Sequence, residues 1–129
     1  MNIGQAGTAS GVDVRLIRHY ESIGLLPKVA RSEAGYRVYG EADVHILRFV
    51  KRARGLGFPL KEIKKLISLW RNKSRSSSQV KDLTQTHITL LEKKIIELQS
   101  MASVLRHLAN NCHGDGRPDC PILDNLEGP

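Results

Sequence analysis

Two sets of residues in this 129-residue chain are equipped for chemistry, and they lie far apart in the sequence. The first is Cys112 and Cys120, the only two cysteines. The segment that joins them, His113 to Asp119, is rich in Gly, Asp and Pro and reads as a tight loop. The spacing is too wide for a zinc knuckle, and there is no second cysteine pair. Thiolates are soft ligands that favour monovalent copper and its heavier relatives, and two of them alone suit a two-coordinate ion. His113, Asp115 and Asp119 could add the ligands that zinc needs, so a divalent site stays open. A redox pair stays open too, although the loop lacks the short Cys-x-x-Cys spacing of thiol oxidoreductases. The third alternative is a pair of incidental thiols.

The second set is basic. The formal net charge is +7, with 20 Lys+Arg against 13 Asp+Glu. Fifteen of those 20 basic residues precede Gln79, but only six of the 13 acidic ones do. A basic half of this kind suits a polyanion. Arg15, Arg18 and His19 are grouped within five residues, Arg31, Tyr36 and Arg37 within seven, and Arg52 and Arg54 follow. Arginine can bond guanine bidentately, and most protein–DNA contacts go to phosphates, so this constellation points to double-stranded DNA. Catalysis is not expected: there is no Gly-rich phosphate loop, no Ser or Cys nucleophile signature and no His-Glu zinc motif. No run approaches the roughly 18–20 apolar residues of a membrane span. The N-terminus lacks the basic start and apolar stretch of a signal peptide, which predicts a cytoplasmic protein with reduced thiols.

The elements that must position these residues are mainly helical. Residues 3–25 read as two short helices around a tight turn, with Ile3, Ala6 and Gly7 on one face of the first. Gly11 stands where a C-cap is expected, and Asp13 can N-cap the second helix. This is the helix-turn-helix pattern, whose second helix would carry Arg15, Arg18 and His19 into the major groove. Pro27 ends the unit. Arg31 to Tyr39 then suits a small β-hairpin, or wing, with Ala34-Gly35 at its turn. Glu41 to Gly55 reads as a third helix with Val44, Leu47, Val50 and Ala53 on one face. Pro59 opens a fourth, in which Leu60, Ile63, Leu66, Ile67 and Trp70 recur, Trp70 as a core residue.

Residues 71–79 are polar and read as a linker between a DNA-binding domain at 1–70 and a long helix at 80–110. In that helix Thr84, Ile88, Leu91, Ile95, Leu98, Ala102, Leu105 and Ala109 alternate at spacings of four and three. A 3.5-residue period argues for a coiled-coil seam. Thirty residues of helix span roughly 45 Å, too long to bury a seam within so small a chain. A second copy in two-fold symmetry is the simplest partner. Residues 111–129 hold the cysteine loop, with Pro121 able to open a short terminal helix through Ile122, Leu123 and Leu126.

Several stretches carry a resemblance. Ile17-Arg18-His19-Tyr20-Glu21, Ile23-Gly24-Leu25-Leu26 and Arg31-Ser32-Glu33-Ala34-Gly35-Tyr36-Arg37-Val38-Tyr39 are joined by Cys112-His113-Gly114-Asp115 and Asp119-Cys120-Pro121-Ile122. With them the chain resembles, over nearly its whole length, the MerR family of bacterial metal-responsive transcription regulators and its copper-efflux branch. The resemblance implies a winged helix-turn-helix, a long antiparallel dimerisation helix and a C-terminal metal-binding loop. By position it implies DNA contacts from Arg18, Tyr20, Arg31, Tyr36 and Arg37, and metal ligation by Cys112 and Cys120. Ser77 falls where divalent-ion sensors of the family carry a Cys. Lys81, one turn on, would offset the charge of two thiolates on a monovalent ion. His19 and Gly7 depart from the usual Phe or Tyr and the usual Ala. The implied function is a homodimeric activator that responds to Cu(I), or to Ag(I) or Au(I). It would remodel promoter DNA and reach RNA polymerase only through that DNA.

Overall fold

The computed structural model describes residues 1–27 and 29–128. They fall into two compact units, one from Met1 to Leu83 and the other from Thr84 onward.

In the first unit, α1 (Ile3–Ser10) is opened by a capping box in which Asn2 and Gln5 bond each other's backbone amides. It ends at Gly11, whose φ of +73° is left-handed and favours glycine. Arg48 closes the same end by donating from Nε and Nη2 to the Ala9 carbonyl at 3.2 and 2.9 Å. Asp13 then caps α2 (Val14–Ser22) by accepting from the Arg15 amide at 2.8 Å. Gly7 has a steric reason: a Cβ there would stand 3.0 Å from the Val12 carbonyl oxygen. The turn between the helices is therefore built as the spacing predicts.

β1 (Ala30–Arg31) and β2 (Arg37–Val38) pair antiparallel, Ala30 with Val38 and Arg31 with Arg37, and form the expected wing. The helices α3 (Glu41–Gly55) and α4 (Leu60–Arg71) complete the unit. Its core gathers Ala6, Ile17, Leu47, Val50 and Ile63, all fully buried, with Tyr39 almost as deep. Two aromatic residues depart from expectation. Tyr20, assigned to DNA by resemblance, is 5% exposed and belongs to this core: the helix period turns it inward behind Ile17. Trp70, expected in the core, is 40% exposed because it lies at the end of α4 and stacks on Phe49, ring centroids 4.7 Å apart.

The polar segment between α4 and the next helix is shorter than residues 71–79. α5 (Ser77–Asn110) starts three residues before 80, and its first turns pack Val80 and Leu83 on the N-terminal core. Lys81 lies in the same turns, exposed.

In the second unit, α5 carries the predicted seam as an apolar stripe that the described chain leaves uncovered. Ile88, Ile95, Leu98 and Leu105 are 46% to 63% exposed, Ala102 is exposed and Leu91 half-buried. His87 is the buried residue of this helix. After the cysteine loop, α6 (Pro121–Glu127) has Pro121 in its first turn, where a missing N–H costs nothing. No described helix is long and apolar enough to cross a membrane.

Candidate nucleic-acid interface and thiol pair

Of the predicted basic residues, Arg18, Arg31 and Arg37 meet at a cleft of about 450 Å3 lined also by Asn2, Ile3, Gly35 and Tyr36, whereas Arg15, His19, Arg52 and Arg54 lie outside it. α2 supplies Arg18, the wing supplies Arg31, Tyr36 and Arg37, and the N-terminus of α1 forms the remaining edge. Three guanidiniums around one concavity make a strongly positive site. The wing is held open by its own turn. Ser32 donates its amide to the Tyr36 carbonyl at 2.7 Å, and Arg31 donates from Nη1 to the Gly35 carbonyl at 2.9 Å. Tyr36, 75% exposed, projects from that turn.

Arg37 donates from Nε to Glu21 Oε1 at 3.0 Å, and Tyr39 donates its hydroxyl to Glu21 Oε2 at 3.1 Å. Burial and then the Glu21 carboxylate push the Tyr39 hydroxyl above its ordinary value of 10.0. Sequence reasoning gave Glu21 no role beyond its place in the Ile17-Arg18-His19-Tyr20-Glu21 stretch. The available signal was its charge, an acid in a run of basic residues.

Arg15, Arg18 and His19 are all exposed on α2. Arg52 and Arg54 are exposed on α3, but Arg54 also donates to the Phe58 carbonyl at 3.3 Å and so helps close the turn into α4.

The thiols are half-buried and free. Cys120 is the N-cap residue of α6. No full capping hydrogen bond forms there, yet the amides of Leu123 and Ile122 and the facing Cys112 thiol favour its thiolate and lower it below the usual value. The amides dominate; desolvation and Asp124 oppose them. The residues that could have completed a zinc site do not gather. Asp115 is taken by Arg117, which bonds both its oxygens at 2.9 to 3.1 Å and lowers its carboxyl. His113 and Asp119 are exposed. Among the described residues, no group of three or more His, Cys, Asp or Glu side chains could hold a metal. Two sulfurs, one of them at the N-cap of α6, would fit a soft ion of low coordination number. Ser77 stands at the first position of α5, exposed, in the other unit.

A helix-turn-helix, a wing and a basic cleft followed by a long helix define a DNA-binding regulator. Residues 1–70 match the family described as MerR HTH family regulatory protein, and residues 44–108 that described as MerR, DNA binding. The chain belongs to the MerR family of transcription regulators, which bind DNA and are not enzymes.

Its relatives include proteins named heavy metal-dependent transcription regulators in Rhizobium meliloti. It is 53% identical to the HTH-type transcriptional regulator HmrR of Sinorhizobium medicae, over 98% of this chain and 86% of that one. It is 41% identical to the HTH-type transcriptional regulator CueR of Salmonella typhimurium, over 99% and 93%. Among solved structures it is similar to the transcription regulator PbrR691 of Ralstonia metallidurans in complex with lead(II), with a TM-score of 0.85, 34% identity and 98% of each chain covered.

Proposed function

We propose that this chain is a homodimeric transcriptional activator that senses Cu(I), or the equally charged Ag(I) or Au(I), through Cys112 and Cys120. It would then remodel promoter DNA to switch on metal-efflux or resistance genes. The observation that carries the reading is the donor set. Cys112 and Cys120 are both free and half-buried, Cys120 at the N-cap of α6, while Asp115 is engaged by Arg117. Bound there, a monovalent ion would supply one linear sulfur–metal–sulfur link. A divalent ion on the same two ligands would stay under-coordinated and carry uncompensated charge. Ser77 of the partner subunit, in place of a Cys, would withhold the third thiolate, and Lys81 would offset the remaining negative charge. The uncovered stripe of Ile88, Leu91, Ile95, Leu98, Ala102 and Leu105 supports the homodimer, since an apolar face that long calls for a matching one.

The DNA half would grip the promoter whether or not metal is present. Arg15, Arg18 and His19 would face the groove, Arg31, Tyr36 and Arg37 the flanking phosphates, and Arg52 further backbone. Tyr20 would support α2 from the core. Occupancy at the thiols can shift the dimer only by the difference in metal affinity between its two forms. The effect on transcription would pass through DNA shape, and to RNA polymerase through the promoter alone.

X-ray absorption at the copper edge of the loaded protein tests the site. Two sulfur neighbours and no nitrogen or oxygen neighbour are expected; three or four ligands would contradict it. PbrR691 was solved with lead(II), which gives a divalent-metal regulator of the same fold a specific second footing. The same spectra on zinc-loaded protein separate the two. A reversible Cys112–Cys120 disulfide would instead mark a redox sensor.

A further inference from the structure

By charge alone, Glu21 is out of place. It sits on the helix that carries Arg15, Arg18 and His19, beside a cleft lined by Arg18, Arg31 and Arg37. A carboxylate there repels any phosphate that the cleft attracts. Both its oxygens are nevertheless in use. Oε1 accepts from Arg37 Nε at 3.0 Å and Oε2 from the Tyr39 hydroxyl at 3.1 Å, and the side chain is only 18% exposed. Arg37 is held through Nε, and it also lines the cleft, where its terminal amino groups remain as donors for other acceptors. Tyr39 is itself fixed: it is 1% exposed, its amide donates to the Met1 carbonyl at 2.7 Å, and the N-terminal ammonium donates to the Tyr39 carbonyl at 2.7 Å.

We infer that Glu21 is a positioning residue for DNA binding. It ties β2 and the end of the wing to α2, so that the helix facing the groove and the wing facing the backbone move as one body. The repulsion of one phosphate is offset by an Arg37 side chain ordered before DNA arrives, which spares the cost of immobilising it on binding. The inference rests on the cleft being the phosphate site, and the test separates the two.

The test titrates full-length protein into a labelled duplex that the wild type binds, across a range of salt. The variants are Glu21→Ala, Glu21→Gln, Tyr39→Phe, Arg37→Ala and the Glu21→Ala/Arg37→Ala double. The clamp predicts that Glu21→Ala binds about tenfold more weakly, a typical loss for a charge-assisted bond. The magnitude of its log–log salt slope should drop by about 0.9, one phosphate contact. Glu21→Gln, which keeps one acceptor, should fall about threefold, and Tyr39→Phe should shift the same way. In the Arg37→Ala background, removing Glu21 should cost nothing further. Tighter binding with a steeper salt slope in Glu21→Ala or Glu21→Gln would show a mere repelling charge and overturn the inference. An equal loss with and without Arg37 would also overturn it. If Arg37→Ala itself leaves binding unchanged, the cleft reading falls and the clamp falls with it. The glutamine variant decides the sign even if the alanine variant folds poorly.

Discussion

Arg37, Arg31 and Arg54 show that arginines of one basic half do different work. Arg54 closes a turn on the Phe58 carbonyl, Arg31 braces its own wing turn, and Arg37 is aimed by Glu21. Arg37→Ala is therefore expected to weaken specific and random duplexes alike by about tenfold. Arg18→Ala should in addition narrow the gap between them by about 1–3 kcal/mol, the value of one bidentate base contact. Competition binding with two duplexes checks both. The same clamp gives a pH signature. Tyr39 titrates above its ordinary value of 10.0 in the fold, so its stabilisation is complete below the unfolded value and is lost as pH rises through the raised one. Chemical denaturation between pH 9 and about 11.5 should show a shallower alkaline loss in Tyr39→Phe than in wild type. At this scale the exposed basic residues and the thiol pair were legible from type and spacing. Tyr20 was not, because resemblance assigns a motif and only the helix period decides which of its members turns inward.

The elements were the most legible level. Gly11, Asp13 and Pro121 stand at helix ends in the roles their chemistry suits, and the wing follows its Ala-Gly turn. The start of α5 was less so. Ser77 and Ser78 lack an apolar period, yet they join the helix because Val80 and Leu83 find a core to pack on, a tertiary effect no local pattern displays. Trp70 misled for a related reason: period alone does not say where a helix outruns the core it covers. Gly11→Ala should cost about 1–2 kcal/mol, the penalty of a left-handed Cβ, in equilibrium unfolding. Leu98→Asp would set a charge in the middle of the α5 stripe, 63% exposed within one chain. Sedimentation should show its dimer weakened by about 3 kcal/mol or more, if that stripe is the interface. An unchanged association would move the interface elsewhere.

As a whole, the molecule separates its two chemistries. The basic unit ends near Leu83, and the thiols lie after Asn110. Composition made that division legible, with positive charge crowded before Gln79 and both cysteines beyond it. For the ion the sequence offers only a preference, because whether His113, Asp115 and Asp119 join the site depends on how the loop folds. The separation predicts that metal response and DNA affinity can be lost independently. The most direct measurement is in vitro transcription from a promoter that the protein binds, with Cu(I) and Zn(II) each buffered, for wild type and Cys120→Ser. The account predicts activation of wild type by Cu(I) and not by Zn(II). It predicts no activation of Cys120→Ser, with DNA affinity held within about twofold. Strong activation of wild type by Zn(II), or a full Cu(I) response in Cys120→Ser, would contradict it.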